Sequence, residues 1–219
     1  MKLPILALVL SALPALGGSL PTTTPQITIY TSYQHDLSDV VEKSMQAELA
    51  SIMEPVGFEL EWRSLEAPNE SRVASEIVVL TFRGKCDAQG LTLASHENAG
   101  LGWTHLSDGE ILPFAEVDCD RVRMLVQNDL FRLPPMERAK ALGRAMARVT
   151  AHELYHILAH TMRHGSGLSK PAYSPQELLA DEFLFDQRET KALRRPAKTA
   201  SPKKPAIGSE SASPVMSYQ

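Results

Sequence analysis

His152-Glu153-Leu154-Tyr155-His156 lies within a run of apolar residues at helical spacing, with Ala139, Leu142, Met146 and Val149 before it and Ile157 after it. Pro134 and Pro135 stand where such a helix would begin. The spacing predicts a helix from Met136 to about Met162, roughly 40 Å long at 1.5 Å per residue. Side chains four apart share one helical face, so the rings of His152 and His156 can grip one metal ion. Glu153 then lies beside the ion without being compelled to ligate it. Two histidines and an adjacent carboxylate at this spacing suit a zinc-activated water with Glu153 as general base, the core of metal-assisted peptide hydrolysis. Lys140, Arg144 and Arg148 recur every four residues and read as the solvated face of the same helix. Tyr155 points away from the histidine face and reads as packing.

Working outward, Gln26 to Tyr33 alternates and is rich in β-branched and aromatic residues, a strand pattern. Asp36 or Ser38 can cap a helix carrying Val40, Val41, Met45, Leu49 and Ile52, which Pro55 and Gly57 end. Phe58 to Trp62 reads as a second strand. Glu76 to Phe82 reads as a third, apolar enough to be central in a sheet. Residues 84–110 read as a long Gly-rich loop around Gly100-Leu101-Gly102-Trp103. Leu112 to Val126 has a strand pattern in two pieces, the second being Arg121 to Val126. After the motif, Gly165 and Gly167 signal a turn, and Pro175 opens a last helix from Gln176 to about Leu193. The expected fold class is α+β: a mixed, mainly parallel twisted sheet packed on helices, with a small helical part at the C-terminal end.

The two ends read differently from the middle. Met1-Lys2 followed by the apolar run Leu3 to Leu16, and then Ala15-Leu16-Gly17, predicts a signal peptide over 1–17. A Pro/Thr leader covers 18–25, the folded domain 26–193, and a disordered Pro/Lys/Ser/Ala tail 194–219. Export implies a secreted or periplasmic protein with no stable membrane insertion after cleavage. It also lets Cys86 and Cys119, the only two cysteines, pair in an oxidising compartment. With 43% hydrophobic residues the chain can bury a core, and a net charge of −4 offers no nucleic-acid surface.

A catalytic zinc site keeps three protein ligands and one open position. Four of the seven histidines fall within 152–164. His160 continues the four-residue series but lies about 12 Å along the axis from His152, too far for one ion, and reads as lining a cleft. His164 lies past the helix, where a turn could fold it back. Glu177 is the competing third ligand, with Asp181 one turn further along to orient a histidine.

The motif and the order of strands and helices resemble the zincin metalloproteases. The metzincin branch has H-E-x-x-H-x-x-G-x-x-H, but Ala159 stands at the glycine position and Met162 at that of the third histidine. The gluzincin branch takes a later Glu as third ligand. From Ala151 to Phe185 the spacing is similar to small exported bacterial zincin-like proteins, in which seven residues and then a histidine follow the motif, as His164 does here. The resemblance implies an exported Zn2+-dependent peptidase acting on a peptide or protein substrate, with His152, His156 and His164 as ligands and Glu153 as base. It also makes Tyr173 a candidate oxyanion donor, although the residue itself reads as packing. The alternative is a non-catalytic, zinc-stabilised extracellular binding protein, with Glu177 completing a four-ligand structural site.

Overall fold

The computed structural model describes residues 25–67, 76–90 and 100–195. The signal peptide and almost all of the leader and tail read from the sequence lie outside these residues. In chain order the elements are β1 (Gln26–Tyr33), α1 (Asp39–Met53), β2 (Glu59–Ser64), β3 (Glu76–Arg83), β4 (Gly102–Ser107), β5 (Glu110–Asp118), α2 (Cys119–Leu130), α3 (Pro135–Leu158), α4 (Pro175–Leu179) and α5 (Gln187–Leu193). The sheet order is β2-β1-β3-β5-β4. β1 is parallel to β2 and β3, and β3 is parallel to β5, whereas β4 runs antiparallel to β5 at the edge. The architecture is therefore α+β with a mixed, mostly parallel sheet.

Period-two burial shows which face carries the helices. Val78, Leu80 and Phe82 of the central strand β3 are fully buried while Ile77 is half exposed, so the core lies on one side of the sheet. Ser38 caps α1, its hydroxyl accepting from the Val41 amide. Gly57, in the left-handed region at φ 97°, closes the turn that follows α1. α1 packs on α3 so closely that a β-carbon on Gly143 would overlap the Val41 carbonyl and the Ser44 side chain. That contact explains a glycine inside a long helix.

Five sequence expectations are corrected. The loop over 84–110 contains strand β4, joined to β5 by a two-residue turn, Asp108-Gly109, with φ values of 52° and 78°. Two left-handed residues match the twist of a hairpin, and Asp-Gly is its usual sequence. The second strand piece, Arg121 to Val126, belongs instead to helix α2. Asp118 caps it by accepting from the Arg121 amide, and Val122, Val126 and Leu130 are buried at four-residue spacing. Cys119, the first residue of α2, is bridged to Cys86 just beyond β3. Closing a loop of this length contributes roughly 3–4 kcal/mol in the chain-entropy picture.

The long helix α3 ends at Leu158, four residues earlier than the pattern suggests. His160 adopts φ 47°, and the amides of His160 and Thr161 turn back to the carbonyls of Ile157 and His156. This is a Schellman ending, with histidine where glycine is usual. Gln176 to Leu193 is likewise not one helix: α4 and α5 are separate, each opened by its own capping box, Ser174 with Glu177 and Asp186 with Glu189.

The basic stripe is corrected as well, because Arg148 is fully buried. Its guanidinium meets Glu48 of α1 at 2.7 Å and donates to the carbonyls of Glu177 at 2.7 Å and Ala180 at 2.8 Å. Arg144 donates to Leu179 and Ala180 as well. The two arginines thus satisfy the free carbonyls at the end of α4. Among the described residues no helix is long and apolar enough to cross a membrane. Arg148→Ala removes the shared partner of a half-buried carboxylate and two carbonyls, and is expected to cost about 3–5 kcal/mol in urea unfolding; a loss below about 1 kcal/mol would place Arg148 on the solvated face after all.

Candidate metal centre

α3 is amphipathic along most of its length, but its last turns, Val149 to Leu158, are buried all round. His152, Glu153 and His156 therefore sit in the protein interior, where every polar atom needs a partner. His156 Nδ1 lies 2.7 Å from the Thr161 carbonyl, which the left-handed His160 brings back over the helix end. A carbonyl only accepts, so this nitrogen carries the proton. His152 Nδ1 lies 2.8 Å from the Tyr173 hydroxyl and 3.3 Å from the Leu168 carbonyl. Tyr173 donates its own hydroxyl hydrogen to Leu168 O, so it accepts from His152. Burial holds that hydroxyl protonated, well above its ordinary value, with Glu153, Glu189 and Glu177 adding to the rise.

With both Nδ1 atoms protonated, the two Nε2 atoms present lone pairs, and they face each other at 2.9 Å. Two acceptors at this separation satisfy neither unless a cation or a proton lies between them. A proton is disfavoured: burial pulls His156 down to about 4, and His152 well below its usual value with His156 and His164 adding to the fall. His164 completes the group. Its ring centroid is 5.2 Å from that of His152 and 5.1 Å from that of His156. One nitrogen of each ring lies within 4.8 Å of the others, and His164 Nε2 is buried without a hydrogen-bond partner. Three neutral imidazoles converging in this way fit a transition-metal ion.

Glu153 is fully buried beside the rings. Its Oε2 accepts from the Thr104 hydroxyl of β4 at 2.7 Å, while Oε1 has no partner. Burial raises the carboxyl to about 8, against the opposing bond from Thr104. Gly102, two residues before Thr104, lets the edge strand approach, since a β-carbon there would come within 3.0 Å of Oε1.

Of the residues singled out from the sequence, the structure brings together His152, Glu153, His156 and His164. Glu177 is elsewhere: it caps α4 through Ser174 and pairs with Lys170 at 2.5 Å. Among the described residues Glu177 is therefore not part of the group that converges on His152 and His156. Asp181 is exposed and pairs loosely with Arg144. His160 is exposed past the helix end. Tyr173, read as packing, is instead hydrogen-bonded into the cluster. Thr104 and Gly102 were missed because their stretch reads as loop; the alternation in Trp103-Thr104-His105-Leu106 before Asp108-Gly109 was the available signal.

No family model and no curated protein matches the chain. Among solved structures it is similar to the crystal structure of archaemetzincin from Methanopyrus kandleri, at 12% identity and a TM-score of 0.46, over 80% of this chain and 97% of that one. A resemblance this distant gives no residue its role.

The buried carboxyl has a measurable consequence. In metal-stripped protein Glu153 keeps its proton from its ordinary 4.5 up to about 8, whereas the unfolded chain releases it near 4.5. The stability attributable to Glu153 is therefore fully present below the unfolded value and is lost as pH rises through this window. Glu153→Gln has no such proton to hold. Its stability relative to wild type, from urea unfolding in chelator, is expected to rise by a few kcal/mol across the window, at no more than about 1.4 kcal/mol per pH unit. A difference independent of pH would contradict the burial.

Proposed function

We propose that this chain is a zinc-dependent peptidase, with Zn2+ held by His152, His156 and His164 and with Glu153 as general base. The observation that carries this reading is the facing pair of imidazole lone pairs 2.9 Å apart in the protein interior. His164 Nε2 and Glu153 Oε1 are also buried without a hydrogen-bond partner. When bound, zinc supplies Lewis acidity that lowers the pKa of a water toward 7 and polarises a carbonyl oxygen.

The chain's own residues do the rest. Thr104 anchors Glu153 Oε2 and leaves Oε1 free to take the proton of the attacking water and hand it to the departing amine nitrogen. Burial raises this carboxyl in the metal-free site, and a cation held at the facing Nε2 atoms would favour its ionised form, which the base role requires. Tyr173 and the Thr161 carbonyl hold the rings of His152 and His156 in one tautomer, with Nε2 turned inward. β4 is an edge strand whose Thr104 touches Glu153. An extended peptide that added to this edge would run past the base, which supports a peptide or protein substrate. The Cys86–Cys119 bridge accords with work in an oxidising compartment, as export would provide.

The test is zinc content and cleavage of casein or a quenched peptide. Wild type is expected to carry one zinc and cleave. Glu153→Ala should keep the metal and lose at least about a hundredfold in rate, His164→Ala should lose metal, and Glu177→Ala should retain it. Zinc retained with no hydrolysis by wild type would sink the peptidase reading, and zinc lost from Glu177→Ala but not from His164→Ala would overturn the ligand set.

A further inference from the structure

The carboxylate of Glu189, on the last helix, is 1% exposed and accepts five hydrogen bonds. One, from the Asp186 amide at 2.7 Å, belongs to the capping box of α5. The other four come from about twenty residues upstream: the amides of Gly167 and Leu168 at 3.2 Å, the amide of Ser169 at 2.9 Å and its hydroxyl at 2.5 Å. A helix cap needs only the first.

Every partner is a donor, and both carboxylate oxygens are used. A carboxamide of the same shape would turn one acceptor into a donor facing N–H groups, so the site demands Glu rather than Gln. The loop has also been cleared to receive this group. A β-carbon on Gly165 or on Gly167 would overlap a carboxylate oxygen of Glu189. Ser169 closes the ring, its hydroxyl and carbonyl both accepting from the Gly165 amide.

This loop is the segment that bears on the metal centre. His164 immediately precedes Gly165; its ring touches those of His152 and His156, but among the described residues no hydrogen bond to its buried Nε2 fixes it there. Leu168, at the other side of the loop, offers the carbonyl that fixes Tyr173 and faces His152 Nδ1. We propose that Glu189 is the positioning residue of the metal centre: its buried carboxylate folds residues 165–169 so that His164 is presented to the two helix histidines. The inference rests on the metal-site reading above and deepens it. It separates the histidines into two classes, His156 held by the end of its own helix and His164 held by α5 through Glu189.

The experiment is a double-mutant cycle on Zn2+ affinity in the full chain, by competition with a chromophoric chelator, with the absorption spectrum of the Co2+ form as a second readout. Glu189→Gln is expected to weaken Zn2+ binding about 10- to 100-fold and to shift the Co2+ spectrum toward that of His164→Ala. In a His164→Ala background the same substitution should cost several-fold less than in wild type, because one of the ligands its loop serves is already gone. A purely structural role predicts that the two losses multiply, and that result overturns the assignment, as does wild-type affinity in Glu189→Gln. Ser169→Ala removes one donor to the carboxylate and serves if Glu189→Gln does not fold; it should lose two- to tenfold in affinity on the same cycle, and unchanged affinity overturns the assignment. Wild-type protein that takes up no stoichiometric Zn2+ would instead remove the metal site itself, before any variant is compared.

Discussion

Two imidazole nitrogens facing each other across 2.9 Å, both stripped of their protons by the partners on their far sides, constrain everything around them. In water such a pair would rotate apart or share a proton. Here the rings are locked into a helix buried all round, and burial keeps both neutral. The surrounding protein must therefore supply two things. Acceptors at Nδ1 hold the tautomer, and the space at Nε2 has to suit a cation.

Each acceptor comes from a different part of the chain. For His156 it is the Thr161 carbonyl, delivered by the left-handed His160 that ends the helix. For His152 it is the Tyr173 hydroxyl, itself fixed by the Leu168 carbonyl. The early end of α3 is thus part of the site: a helix continued to Met162 would carry Thr161 O away along the axis. Neutral rings at ordinary pH follow from the same burial that would make the site unfavourable without an ion.

The sheet supplies the remaining component. β4 is held against β5 by the Asp108-Gly109 hairpin, and its Gly102 and Thr104 face α3. Thr104 occupies one oxygen of Glu153 and leaves the other without a partner. On the opposite side, Arg148 and Glu189 are two buried charges that tie the C-terminal helices to the core. Arg148 gathers the carbonyls that end α4, and Glu189 gathers the amides of the loop after His164. One cation collects acceptors and one anion collects donors, so the irregular segments between α3 and α5 are organised without long secondary structure.

Local chemistry was legible in the chain itself. Period-two and period-3.6 patterns located β1, α1, β3 and the body of α3, and the four-residue interval placed His152, His156 and the neighbouring Glu153 on adjacent turns. These depend only on backbone geometry. Where the pattern was ambiguous it misled: Val122 and Val126 look like strand residues, and only the Asp118 cap and the bridge at Cys119 make them helical. Arg148 looked solvated because sequence spacing does not show what packs against a helix face. His164 was preferred to Glu177 on resemblance, whereas its approach to the helix pair, the engagement of Thr104 and Tyr173, and the enclosure of Glu189 appear only in the tertiary structure. Each joins residues distant in the chain, and the left-handed turn at His160 lacks the glycine that usually signals it. Composition and spacing determined that two histidines and a carboxylate share one helix, and the fold decided which distant atoms complete their hydrogen bonds, because those partners meet only when sheet, loop and last helix close on the same buried end.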